Sequence, residues 1–463
     1  MKVSPARTAA YDALYRVERD AAFATDALDA LLEGIEKRAD AALATELTMG
    51  VLRARRSLDF LIERFVERPA ESLDLEVLVA LRIGLYQLRF LSRVPVSAAV
   101  NESVELAKRA RKRSAAGLVN AALRRAARDE HITGLVRASL QDLFPAGLSM
   151  ADRLGILFSY PTWLVERWLA RYGEQDTRAL LHAGDLPPRL CAMVLAGAEQ
   201  EGVVSSLREG GFDVGPGAWL ASALQLQTVP RGGVAASRAV REGRLLIQDE
   251  ASQMIPLLLG AQAGQLVLDV CAAPGGKTAR LAQLSSVVAG DVHLHRLRRL
   301  RELLLNINAR NVRLAAFDAT QPLPFGQLFD RILLDAPCSG TGTLARNPEI
   351  RWRLQPEDLV ALHEKQKAML RQALAQLAPG GRLVYSTCSL EPEENEEVIA
   401  AVLADFPVLR LVSPQSALAP HVRAGVDCAG LFDTRGCFRT FPPRHGTDGF
   451  FAAMLEISGT AAR

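Results

Sequence analysis

Between Pro5 and about Asp129 the apolar residues recur every three or four positions: Leu28, Leu31 and Leu32; Leu58, Leu61, Ile62 and Phe65; Leu78, Leu81 and Leu85. That spacing lines one face of a helix, and β-branched runs are nearly absent, so the pattern predicts an all-α region. From His131 to Met150 the periodicity lapses, as in a linker. Tyr160 to about Arg244 opens on the aromatic-rich YPTWLVERW, carries the turn signals GDLPPR and VGPGAW, and reads as a small mixed segment. Past Arg244 the texture changes to short apolar runs alternating with helical stretches: QLVLDV, a helix from Lys277, VVAGDV, RLRRLRELLLNIN, VRLAAFD, FDRILLDAP, KQKAMLRQALAQLA and RLVYST. Such alternation predicts a mostly parallel, doubly wound Rossmann-like α/β sheet. CFRTF and GFFAAMLEI, on either side of PPRHGTD, predict a closing antiparallel hairpin at one sheet edge.

Length agrees with several domains, since 463 residues exceed what a single core supports. The expected divisions are 1–140, all-α; 141–244, linker and small mixed domain; and 245–463, the α/β domain. With no signal-peptide pattern and no apolar run long enough for a membrane span, a cytoplasmic protein without membrane partners is expected. The cysteines Cys191, Cys271, Cys338, Cys388, Cys428 and Cys437 form no CxxC pair and stand near no His cluster, so they read as free thiols with no metal site. The net charge of +3 conceals an asymmetry. Arg82 to Arg128 holds eleven basic residues against Glu102 and Glu105, whereas Met1 to Leu81 holds eleven basic and fifteen acidic ones. The basic cluster Lys108, Arg109, Arg111, Lys112 and Arg113 suits either a solvated helix face or a phosphate backbone.

The first α/β strand runs into DVCAAPGGKT. A Walker A loop needs glycine where Cys271 stands, which argues against phosphate cradling. Ala272, Ala273, Gly275 and Gly276 instead make a small-residue turn at the carboxyl edge of a first strand, where open α/β sheets bind nucleoside-containing cofactors. Asp291, ending the second strand, suits ribose hydroxyls. Asp318, ending the third, suits an adenine amino group. The fourth strand ends in LLDAPCSGTG and the fifth in YSTCSL, which brings Asp335, Cys338 and Cys388 to one rim. Cytosine C5 takes a methyl group from a sulfonium only after a thiolate adds at C6, and a second group must then remove the C5 proton. Two thiols and a carboxylate able to bond the ring at N3 or the exocyclic amine supply that set.

DVCAAPGGKT, LLDAPCSGTG with RNPEIRWR, and YSTCSLEPEENEEV resemble the RNA cytosine-C5 methyltransferases of the NOL1/NOP2/Sun family. The resemblance covers about Gln248 to Ile457. It implies S-adenosyl-L-methionine as cofactor, held by Cys271 to Lys277, Asp291, Asp318 and Asp335. It implies Cys388 as nucleophile, Cys338 as the residue that helps release product, and Asp335 beside them. PVSAAVNESVELAKRA and GLVNAALRR resemble the RNA-binding NusB-like domain. That fusion is the architecture of the Sun or Fmu type, which implies small-subunit (16S) ribosomal RNA as partner and cytosine 967 as target. The same chemistry on tRNA or another rRNA site is the nearest alternative. An RNA-binding assembly factor with a silent methyltransferase domain is a second, against which intact Cys338, Cys388 and Asp335 argue. His293 and Phe317 depart from the family, which has an acidic residue and a glycine there.

Overall fold

The computed structural model describes residues 3–133, 137–195, 197–230, 233–234 and 237–457. The few other residues inside the expected domain ranges lie outside the described residues. The chain divides into two compact units: Met1–Pro187 with Leu344–Leu354, and Pro188–Thr343 with Gln355–Arg463.

The first unit is helical, with helices at Pro5–Asp20, Ala24–Leu32, Arg38–Val66, Leu75–Phe90, Val96–Arg109 and Ala116–Ala126. Leu58, Leu61, Ile62 and Phe65 are all buried, as are Leu78, Leu81 and Leu85, so the apolar stripes do face the core. Leu75–Phe90 is buried on nearly every side, Arg82 included. Asp59 receives two 2.7 Å bonds from that guanidinium, and Glu18 receives a third at 3.0 Å. Through the expected linker run short helical turns at Glu130–Thr133 and Arg137–Leu143, and a further helix opens at Met150. YPTWLVERW leads into the helical stretch Thr162–Asp185, broken by a kink at Gly173 (φ 73°), which folds with this first unit.

Leu344–Leu354, which carries the whole of RNPEIRWR, also belongs to the first unit. Arg351 is fully buried, lies 3.9 Å over the Tyr160 ring and pairs with Asp185 at 3.3 Å. Trp352 donates its indole N–H to the Leu52 carbonyl at 2.9 Å. The Glu349 carboxylate accepts from the Ala24 amide at 3.1 Å.

The second unit holds two sheets. The smaller has four antiparallel strands, β1 (Leu190–Val194), β2 (Asp213–Pro216), β3 (Ala223–Thr228) and β4 (Leu245–Ile247), in the order β2-β3-β1-β4. The larger is built on β5 (Leu266–Asp269), β6 (Ser286–Asp291), β7 (Val312–Ala316), β8 (Phe329–Asp335), β9 (Leu377–Thr387), β10 (Leu409–Val412), β11 (Phe438–Thr440) and β12 (Phe450–Ile457). Its order is β10-β12-β9-β8-β5-β6-β7, with β11 beside β12. β7, β6, β5, β8 and β9 run parallel, while β12 lies antiparallel to β9, β10 and β11. The closing hairpin therefore forms as expected, and the short β10, which alternation did not reveal, pairs with the far end of β12 on the same edge as β11. β5 and β8 are neighbours whose connections leave in opposite directions, the switch point at which open α/β sheets bind ligands.

Candidate active site

Every sequence-derived catalytic and cofactor residue lies at the carboxyl ends of β5 to β9. Asp269 closes β5 and is 1 % exposed. Its Oδ2 accepts from the Thr278 hydroxyl at 2.7 Å, and its Oδ1 has no partner among the described residues. Burial pushes its pKa up to about 7, against the Thr278 bond and with the help of the Asp335 and Asp291 charges. Cys271, two residues on, is raised well above an ordinary thiol by burial and then by the carboxylates Asp269, Asp335 and Asp291. It is an inert thiol, so its place in this turn is not a nucleophile's.

The small residues of the turn have specific structural reasons. The Ala273–Pro274 peptide is cis, and Gly275 sits at φ 115°, a conformation that L side chains rarely adopt. A Cβ at Gly275 would also meet Leu300 at 2.4 Å, so this glycine admits the following helix, Leu294–Asn306. At the end of β6 the Asp291 carboxylate accepts the His293 amide at 2.8 Å and faces Arg296 at 3.4 Å. His293 thus contributes its backbone to the carboxylate's geometry. Phe317, in the place of the family's glycine, lies over Gly290, where a Cβ would stand 2.2 Å from its ring. Asp318 is exposed just beyond β7 and accepts the Thr320 amide at 2.9 Å and hydroxyl at 2.8 Å. These bonds hold its pKa below the ordinary range.

Asp335, Lys277 and the two cysteines come together. Lys277 Nζ donates to Asp335 Oδ2 at 2.7 Å, and Ser386 Oγ donates to Asp335 Oδ1 at 2.8 Å. Burial works against the ammonium, but the charge and hydrogen bond of Asp335, with smaller help from Cys388 and Asp269, raise the Lys277 pKa above its usual value. The ammonium also stands 5.1 Å over the Phe450 ring. Cys338 Sγ and Cys388 Sγ are 3.3 Å apart. The hydrogen bond to Cys388 is the largest influence on Cys338, followed by burial and by the charges of Cys388, Glu394 and Asp335, and together they push its pKa well up. The two thiols are thus within hydrogen-bonding reach of each other, and either can donate. The loop after Cys338 returns to the same place: Gly342 donates to the Cys388 carbonyl at 2.9 Å and accepts from Gly449 at 2.8 Å. A Cβ at Gly342 would be 2.0 Å from the Gly449 oxygen, so this close backbone approach needs glycine.

Sequence reasoning missed Ser386, Phe450 and the buried polar group formed by Ser339, Ser389, Gln366 and Glu394. Ser386 was visible as the residue paired with Asp335 once YSTCSL and LLDAP are set side by side as neighbouring strands. Lys277, expected among the cofactor contacts, has its ammonium on Asp335, another of those expected contacts.

The basic segment lies in the first unit and is partly neutralised. Lys108 pairs with Glu105 at 2.7 Å, Arg109 binds Asp12 through two bonds of 2.7 and 2.8 Å, and Lys112 pairs with Asp74 at 2.9 Å. Arg111 and Arg113 are exposed. Among the described residues no helix is long and apolar enough to cross a membrane, and no group of three or more His, Cys, Asp or Glu residues could hold a metal ion. All six cysteines are free.

Three family models match the chain: the NusB family over residues 4–128, the RsmF/B-like ferredoxin-like domain over 160–230, and 16S rRNA methyltransferase RsmB/F over 256–456. A probable ribosomal RNA small subunit methyltransferase B of Bacillus subtilis is 31% identical, covering 99% of this chain and 100% of its own length. The ribosomal RNA small subunit methyltransferase B of Vibrio cholerae is 36% identical, covering 97% of each. Among solved structures, PH0851 matches 98% of this chain and 99% of its own, with a TM-score of 0.81 and 25% identity. Near full-length similarity at this identity, together with paired thiols on the rim of a β10-β12-β9-β8-β5-β6-β7 sheet, shows that the chain belongs to the RsmB/F methyltransferase family.

Proposed function

We propose that this protein transfers a methyl group from S-adenosyl-L-methionine to C5 of a cytosine in 16S ribosomal RNA, in the cytoplasm, with cytosine 967 as the site that the family resemblance implies. The observation that carries the proposal is the 3.3 Å pair Cys338 and Cys388 beside the Lys277–Asp335 contact. One thiol is enough for addition to the ring, and a second at this distance suits the elimination that must follow.

The donor set fits the cofactor. Asp291 and Asp318 offer carboxylate oxygens for hydroxyl and amino groups, and Lys277, bound to Asp335, leaves no loose cation against a sulfonium. When bound, the cofactor supplies an electrophilic methyl group. Cys388 adds to C6, while Asp335, aligned by Lys277 and Ser386, bonds the ring edge at N3 or the exocyclic amine. After C5 has taken the methyl group, Cys338, its own proton given up to solvent, accepts the C5 proton; the C5–H electron pair re-forms the ring double bond as the C6–S bond breaks, which returns Cys388 as a thiolate.

The division into 1–140, 141–244 and 245–463 belongs to this proposal, as does contact of the first two parts with RNA, in which Lys108, Arg109, Arg111, Lys112 and Arg113 face phosphates. Bisulfite sequencing of ribosomal RNA from cells with and without the gene tests the reading. It expects one cytosine to lose protection in the deletion, and an unchanged protection map would contradict it.

A further inference from the structure

Cys338 and Cys388 are each followed by a serine, and both serines meet the same buried carboxylate. The Ser339 and Ser389 hydroxyls donate to Glu394 Oε2. The Ser339 amide, at 2.8 Å, and the Gln366 side-chain amide, at 3.0 Å, donate to Oε1. Gln366 also donates at 3.0 Å to the carbonyl of Pro337, the residue before Cys338. Glu394 and Gln366 are 0 % exposed. A carboxylate has about four acceptor positions, and here four donors fill them, all of them neutral. With no cation among these partners, the four hydrogen bonds are what offset the loss of water, so the group is built to hold its partners.

Where the carboxylate acts is set by the sheet. The β8–β9 ladder ends at the pair Asp335 and Ser386 and the 2.8 Å bond from the Ala336 amide to the Ser386 carbonyl. Both sulfurs lie two residues beyond that last rung, where the ladder no longer sets the spacing of the two chains. Glu394 ties them again one residue further on, at Ser339 and Ser389, whose hydroxyls are 3.0 Å apart. Its own backbone is held by the Tyr385 hydroxyl, which donates to the Glu394 carbonyl at 2.6 Å. The two sulfurs thus sit between a ladder rung and a carboxylate staple.

We infer that Glu394 is the positioning residue that sets the separation and orientation of the two thiols, an inference that rests on the two-cysteine reading above. It touches neither ring nor cofactor and acts through Ser339 and Ser389. A displacement of about 1 Å in such a pair costs about 10²-fold in rate.

The test reads thiol separation apart from methylation. With diamide, two adjacent thiols lose two electrons and two protons to the diazene, which becomes a hydrazine, and a Cys338–Cys388 disulfide forms; peptide mapping by mass spectrometry follows its rate. Glu394→Asp, with an arm too short to span both serines, is expected to slow closure at least tenfold and to lower kcat about 10²-fold. KM for RNA and affinity for S-adenosylmethionine should stay within twofold. Glu394→Gln, whose amide oxygen and nitrogen can serve the backbone and hydroxyl partners respectively, should recover most of both rates. Ser389→Ala, which leaves three donors on the carboxylate, should slow closure as well and serves if the aspartate variant fails to fold. Wild-type closure in both Glu394→Asp and Ser389→Ala would overturn the inference. Slowed closure in an enzyme found to methylate another atom would overturn the cytosine-C5 reading and leave the role of Glu394 standing.

Discussion

The rim of the second unit and the basic segment of the first are both places where charge marks function, and they treat charge in opposite ways. On the rim, Lys277 and Asp335 form a pair only 14% and 25% exposed, and Glu394 is satisfied by neutral donors in full burial. In the basic segment, Lys112 and Asp74 are 32% and 61% exposed. Exposed pairs of that kind contribute about 0 to 1 kcal/mol, so a phosphate can replace the carboxylate partner at little cost. Buried groups cannot be exchanged in this way, because removing one partner leaves the other desolvated. The rim is therefore preorganised for one geometry, whereas the basic segment is adaptable and salt-sensitive.

If that contrast holds, substitutions on the rim should act on chemistry or stability and those in the basic segment on affinity. The largest effect is expected from Cys388→Ala: turnover should fall to background while S-adenosylmethionine affinity, measured by calorimetry, stays within twofold. Next comes Asp269. Its pKa is 3.8 in the unfolded chain and about 7 in the fold, so the fold favours the protonated form. Its stabilising contribution is complete below about pH 4 and is lost as pH rises towards 7. A rise of that size corresponds to about 4 kcal/mol. Asp269→Asn should therefore match the native protein in urea melts near pH 4 and exceed it near pH 7.5; equal gains at both would remove the argument. Lys277→Met should lower kcat about 10²-fold by leaving Asp335 unaligned. Smallest is the effect of Arg111→Gln with Arg113→Gln, which should reduce the log–log salt slope of RNA binding by about 1.4 to 1.8. Arg109→Gln, already bound to Asp12, should change it less, and equal slopes for all variants would return the segment to a solvated face.

Much of this was legible because periodicity reports burial. Leu58, Leu61, Ile62 and Phe65 announced a helix face, and LVLD, VVAGD and ILLD announced strands whose last residue is an acid at the rim. Cys338 and Cys388 could be brought together because adjacent parallel strands end on the same edge. What stayed hidden depends on tertiary pairing. Nothing local says that Leu344–Leu354 folds with the helical unit, since Arg351 finds Asp185 166 positions away in the chain. β10 is only four residues long, too short for alternation to stand out. In EPEEN, Glu391, Glu393 and Glu394 look alike, yet Glu394 alone receives both serine hydroxyls. The acidic partners of Lys108, Arg109 and Lys112 also include residues far off in sequence, which made the cluster look more strongly charged than its surface is.

The central claim is that the two thiols have separate tasks, Cys388 in bond formation and Cys338 in release. Incubation of Cys338→Ala, Cys388→Ala and the double variant with S-adenosylmethionine and ribosomal RNA, followed by denaturing electrophoresis, reads that division directly. The account predicts a covalent protein–RNA band with Cys338→Ala only, because Cys388 still adds to the ring while release fails. A band with Cys388→Ala and none with Cys338→Ala would contradict it and make the thiol after Pro337 the attacking group.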